Sequence, residues 1–110
     1  MVDLERLSQD AMGIIAYSGV AKSKYVESIR FAKKFDFKNA SQCISEGDDV
    51  LTTAHENHMI LLQREAVEQT PQVSMLILHA EDQFMSCETA KLLALEMIDL
   101  YKSIQDIKGE

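Results

Sequence analysis

The sequence is poor in residues that break regular structure. It has only 4 glycines and 1 proline in 110 residues, which favours long helices over a strand-and-turn fold. Cysteine is equally scarce. Cys43 and Cys87 lie far apart, do not make a disulfide framework, and are expected to be small buried thiols in a reducing compartment. No apolar run approaches the ~18 residues of a membrane span, so no direct membrane insertion is expected. The opening stretch MVDLERLSQD lacks a basic segment followed by an apolar one, which points away from a signal peptide and toward a cytoplasmic location. Positive charge is the minority sign: 11 Lys and Arg against 18 Asp and Glu give a net charge of −7. Phosphate backbones would repel such a chain, so nucleic acid is not an expected partner. Proteins that present basic patches suit it better. There is no glycine-rich phosphate loop, no CxxC and no defensible Ser-His-Asp order.

What is present is a hydrophobic fraction of 46%, enough for the packed core of one domain of this length. Three helical segments emerge, at about 3–34, 39–67 and 71–107. In the first, Leu4, Leu7, Ala11, Ile14, Ala21, Tyr25, Ile29 and Ala32 recur at helical spacing. Gly13 and Gly19 interrupt it at a cost in stability, unless a neighbouring helix packs closely there. Phe35-Asp36-Phe37 reads as a turn, with Asp36 or Asn39 capping the second helix. Ala40, Ile44, Val50, Leu51, Ala54, Leu61 and Leu62 are the apolar positions of that second helix. Thr70 and Pro71 suit the cap and first turn of the third, and Gly109 fits just past its end. The expected fold is all-α: an antiparallel three-helix bundle, up-down-up, with short loops.

The third helix carries two apolar lines. At 100° per residue, Met75, Asp82, Thr89, Leu93, Glu96 and Leu100 fall on nearly one line, flanked by Leu78 and Met85; Leu76, Ala80, Cys87, Ala94, Ile98 and Tyr101 form the other. One line serves the bundle core. A thin bundle cannot cover the other, so self-association is the natural inference. Asp82 lies within the first line, where an unpaired buried carboxylate would be costly. It is either protonated, paired with a cationic side chain, bound to a cation, or simply placed at a wet edge. If copies converge on a symmetry axis, oxygen ligands there suit Mg²⁺ or a similar hard ion. His79 lies 60° around the helix from Asp82, one turn earlier, on a strip with Gln72, Gln83, Ser86 and Ala90. That strip is the border between the apolar line and a more accessible surface. The imidazole is either a structural histidine or a groove-edge group that meets a partner.

Two further features have plainer readings. His55 and His58 in AHENH look like half a metal site, but the HExxH spacing is absent, and solvated or capping histidines are expected. The basic run AKSKYVESIRFAKKFDFK is expected to be a solvated face.

Taken together, the segments IIAYSGVAKSKYVESIRFAKKFDFKNA, AHENHMILLQREA and VSMLILHAEDQFM resemble the enzyme IIA component of the lactose/cellobiose (N,N′-diacetylchitobiose) family of the phosphoenolpyruvate-dependent sugar phosphotransferase system, over nearly the whole chain. The resemblance implies a homotrimer of three-helix bundles. It implies that His79 is the phosphohistidine, carrying the phosphoryl group on Nε2 from HPr to a cysteine of the cognate enzyme IIB during uptake of lactose, cellobiose or a related β-disaccharide. It also implies that Asp82 is a metal ligand, one per subunit around a Mg²⁺ or other divalent cation on the trimer axis. Glu81 stands where the family usually has Gln, Gln83 where it usually has His, and His58 where Gln is usual. Glu81 and Gln83 are supporting candidates: the first adds negative charge near an incoming phosphate unless it faces away, and the second keeps hydrogen-bonding ability. The alternative is a trimeric helical scaffold or regulatory paralogue with weak or no phosphotransfer.

Overall fold

A computed structural model describes residues 3–109, which form three helices: α1 (Leu4–Lys33), α2 (Phe37–Glu68) and α3 (Met75–Lys108). They run up-down-up in a rod of 65 × 19 × 17 Å, as the spacing of apolar residues predicts. Helix α1 packs along both of its neighbours, whereas the α2 and α3 backbones approach one another at few places.

The buried face of α1 keeps a strict alternation of four and three residues: Leu7, Ala11, Ile14, Ser18, Ala21, Tyr25, Ser28 and Ala32. A sustained period of 3.5 calls for gently supercoiled packing, with each side chain set between four of the next helix. Three clusters fill the rod in turn. Leu7, Ala11 and Ile14 meet Ala54 and Leu61 of α2 and Ile77, Ala80 and Phe84 of α3. Ala21 and Tyr25 meet Cys87 and Ala94. Ala32 meets Ala40 and Ile98. The order of these pairings makes α1 parallel to α3. Many core residues are small, so the backbones come close. Both cysteines are buried free thiols, as expected. Burial of Cys87 raises its pKa to about 11.

The close approach that needs a glycine is at Gly47. A Cβ there would lie 2.8 Å from Cε1 of Tyr25, and the same tyrosine donates its hydroxyl to Asp48 Oδ1 at 2.7 Å. Gly19, by contrast, has nothing within 4 Å of where its Cβ would be, and Gly13 has only Asn57 Nδ2 at 3.7 Å. Neither is required by packing within the chain.

The caps settle two boundaries. Asp36, not Asn39, caps α2: its carboxylate accepts the Asn39 backbone N–H at 3.2 Å and the Asn39 side-chain amide at 2.7 Å. These bonds, the side-chain one foremost, lower the Asp36 pKa. Helix α3 begins later than the Thr70–Pro71 signal predicts. Ser74 accepts the N–H of Ile77 at 3.1 Å, while Thr70 turns its hydroxyl back to the Glu68 carbonyl. Residues 71–74 are non-helical, pinned by buried Gln72, whose amide donates to the Glu68 carboxylate and the Thr70 carbonyl. A proline at the start of a helical pattern is thus outcompeted by a better hydrogen-bonded cap three residues on.

Candidate functional site

The two lines of α3 separate cleanly. Ala80, Cys87, Ala94 and Ile98 are buried against α1, joined by Ile77 and Phe84. The other line is uncovered. Met75 is 81% exposed, Met85 62%, Leu100 58% and Leu93 49%, with Leu78 and Leu92 beside them also more than half exposed. Asp82 lies within this uncovered strip and is itself exposed. It is therefore not a buried carboxylate in the single chain. Among the described residues, no cluster of three His, Cys, Asp or Glu side chains exists that could hold a metal ion. Any ion held at Asp82 would therefore need ligands from outside the single chain.

His79 is exposed, one turn before Asp82 and on the flank of α3 that faces α1. Further along this flank are Gln83, half-buried, and Ser86, whose hydroxyl accepts a hydrogen bond from Lys22 Nζ of α1 at 2.9 Å. The imidazole is thus free of the core and reachable from solvent.

Glu81 is elsewhere. It is about 160° around the helix from His79, and its Oε1 lies 2.7 Å from Nε2 of His58 on α2. The approach is off the line of an N–H donor, so the two groups are in close contact without a well-formed hydrogen bond. The His58 ring stacks on Phe84 with centroids 4.9 Å apart, and the His55 ring stacks on the same phenyl at 6.0 Å. This corrects the solvated-or-capping reading for His58, while His55 is exposed as that reading expects. His58 is a packed side chain at the α2–α3 seam, and His55 is exposed but lies on an aromatic face. Two positions where this chain departs from the usual family residue, His58 and Glu81, turn out to be one contact. A sequence read helix by helix could not show it, because it depends on the register between α2 and α3. A second polar bridge spans all three helices: Asp48 of α2 accepts from Tyr25 of α1 and pairs with Lys91 of α3 at 3.0 Å.

The chain is thus a small all-α three-helix bundle with an exposed histidine beside an uncovered apolar strip. Residues 9–102 match the family described as the lactose/cellobiose-specific IIA subunit of the PTS system. The chain belongs to that family and is a phosphotransferase component. It is 31% identical to the lichenan-specific phosphotransferase enzyme IIA component of Bacillus subtilis, over 96% of each chain. Among solved structures it is similar to the crystal structure of the cellobiose-specific enzyme IIA from Bacillus anthracis, with a TM-score of 0.88 and 32% identity, covering 96% of this chain and 95% of that one. It is also similar to a chain in the IIA(Chitobiose)–HPr complex of the Escherichia coli N,N′-diacetylchitobiose branch, with a TM-score of 0.80 and 29% identity, over 90% and 96% of the two chains.

Proposed function

We propose that this chain carries a phosphoryl group on His79, taking it from the phosphohistidine of HPr and passing it to a cysteine of an enzyme IIB during uptake of a β-linked disaccharide. The observation that carries the reading is the exposure of His79 on the border of the uncovered α3 strip. The relatives named for lichenan and chitobiose and the solved complex of a relative with HPr support the partner and the sugar class.

The chemistry asks little of the protein. An unprotonated ring nitrogen of His79 attacks phosphorus in line. The bond from phosphorus to the donor histidine breaks, and its electron pair stays on the donor ring. That ring takes up, through solvent, the proton that the His79 ring releases. In the second transfer a thiolate forms the phosphorus–sulfur bond, and the His79 ring regains its proton as it leaves. Glu81, drawn toward His58 on the far side of α3, keeps its charge off the approaching phosphate. Gln83, one turn after His79, offers a neutral amide on the phosphoryl side.

The uncovered strip supports self-association, and the number three is what the family resemblance implies. Such a trimer would bury Met75, Leu78, Met85, Leu93 and Leu100 against their symmetry mates. Three Asp82 carboxylates then converge, and like charges so close need a cation between them. A divalent ion such as Mg²⁺ would supply that neutralisation and organise the assembly. With a divalent ion bound, chelation should lower the trimer's melting temperature, and Asp82→Leu should abolish that dependence. Identical melting with and without chelator would count against the ion.

The test of the carrier reading is incubation with phosphoenolpyruvate, enzyme I and HPr, followed by intact mass. The full chain should gain one phosphoryl group and His79→Ala none. Wild-type protein that stays unmodified after long incubation would leave the scaffold reading in place.

A further inference from the structure

The charge of this chain is not spread evenly along the rod. Residues 28–41 and 98–109 make the end that carries the α1–α2 turn and the close of α3. They hold six Lys or Arg against three Asp, in a chain of net charge −7. The opposite end, residues 3–12 and 59–76, holds five acidic residues against two arginines. At the basic end Arg30, Lys33, Lys34, Lys38, Lys102 and Lys108 are all exposed, and none has a carboxylate in ion-pair range among the described residues. Asp36, in their midst, has both carboxylate oxygens on Asn39. Two of the lysines sit over aromatic rings: Lys102 Nζ lies 5.7 Å from the centre of Phe37 and Lys108 Nζ 5.5 Å from that of Phe35, and the two phenyl centres are 6.3 Å apart. Phe35 closes α1 with φ 60°, in the left-handed region. Its N–H bonds to the Ala32 carbonyl and that of Asp36 to the Phe31 carbonyl. Glycine is the usual residue in that arrangement, because a bulky side chain is strained there. The phenyl costs the fold some stability and supplies a platform that holds the Lys108 ammonium beside the turn.

We propose that the α1–α2 turn and the end of α3 form a docking surface for an anionic membrane, with lipid phosphates as the groups the lysines meet. The turn is the convex tip of a rod 19 × 17 Å across. It presents separate, outward ammoniums, which suits a plane of headgroups better than a protein segment. Each lysine near such a plane strengthens binding about fivefold. The overall charge of −7 does not forbid this, because the attraction and the repulsion both fade within a Debye length, ~8 Å at physiological salt. With the basic end down, the acidic end of a 65 Å rod lies far outside that range. From Lys102 back to His79, α3 rises about 35 Å, so a rod standing on this end keeps the imidazole clear of the lipid. The contact is between ammoniums and headgroups, and no helix enters the hydrocarbon. The proposal stands apart from the reading of His79 as the phosphoryl carrier.

The experiment is co-sedimentation of the full chain with vesicles of phosphatidylcholine and phosphatidylglycerol in equal parts, set against vesicles of phosphatidylcholine alone, at several salt concentrations. The chain should bind the first and not the second, and rising salt should release it. Lys33→Gln combined with Lys34→Gln changes two exposed side chains and should weaken binding on the order of 25-fold. Phe35→Asn keeps a residue that tolerates the left-handed turn and removes the platform for Lys108, so it should weaken binding by a smaller factor. Lys24→Gln, at a lysine paired with Glu46 away from the tip, should bind as wild type does. Full chain that stays in the supernatant with the anionic vesicles at low salt overturns the proposal. So does a loss in Lys24→Gln equal to that in the double variant, which would mark a general effect of charge. If wild type ignores the vesicles and the double variant loses binding to enzyme IIB instead, the basic end serves an acidic protein and the membrane is refuted.

Discussion

The two apolar lines of α3 have opposite fates. The inward line is built from small or compact side chains, Ala80, Cys87 and Ala94, with Phe84 and Ile77 filling the wider end next to α2. The outward line is built from long ones, Met75, Leu78, Met85, Leu93 and Leu100, and a single chain leaves it in solvent. Side-chain size thus sorts the lines: small residues where α1 must approach closely, large ones where a partner surface must be filled. The polar residues follow the same division. On the buried face of α1, Ser28 sets its hydroxyl on the Tyr25 carbonyl at 2.6 Å, whereas the Ser18 hydroxyl is buried without a partner among the described residues. Asp82, on the outward line, is exposed in the single chain.

Substitutions on the two lines should therefore fail differently. Phe84→Ala removes a buried phenyl and the face on which His55 and His58 stack, and should cost roughly 3–5 kcal/mol in urea unfolding with the association state unchanged. Leu93→Glu, on the outward line, should leave the helicity of the chain intact and shift sedimentation from assembly toward monomer. If Leu93→Glu sediments as wild type does, the outward line is not a seam between copies. A smaller effect sharpens the contrast on the inward side. Gly47→Ala pushes a methyl into the Tyr25 ring and should cost about 1–3 kcal/mol, whereas Gly19→Ala, which meets nothing, should stabilise the fold slightly by favouring helix.

The inward line also sets a pH dependence. Burial holds the Cys87 thiol neutral up to about pH 11, against 9 for a free one. The folded state then binds more protons than the unfolded chain between those values. The stabilisation is complete below pH 9 and is lost as pH rises toward 11. Over that window wild type should lose up to about 3 kcal/mol more than Cys87→Ala does, measured by denaturant unfolding at each pH. Parallel curves would mean that Cys87 is reached by solvent in the folded state.

The bundle was legible because its signal is additive: many apolar residues at spacings of three and four, and few breakers, outvote any single position. The core was legible only where it is apolar. Ser18 and Ser28 occupy heptad positions yet read as surface, and Gly47 has no side chain to register. Leu4 and Leu62 read as core yet are exposed: Leu4 keeps the alternation but stands at the first residue of α1, and Leu62 lies one residue past buried Leu61. The start of α3 was misplaced because Pro71 signals a helix that Ser74 begins. At the site, His79 and Asp82 stood out because their angular positions follow from one helix alone. The His58–Glu81 contact and the Lys22–Ser86 bond did not, since each joins two helices, and interhelical register is fixed by the packing of the whole rod rather than by local pattern.

The most direct test of the account follows a single phosphoryl group through the chain. Protein labelled from phosphorylated HPr should yield one phosphopeptide, containing His79, and adding reduced enzyme IIB should clear it as the cysteine of that partner gains the same mass. A label on His55 or His58, or one on His79 that no enzyme IIB removes, would contradict it.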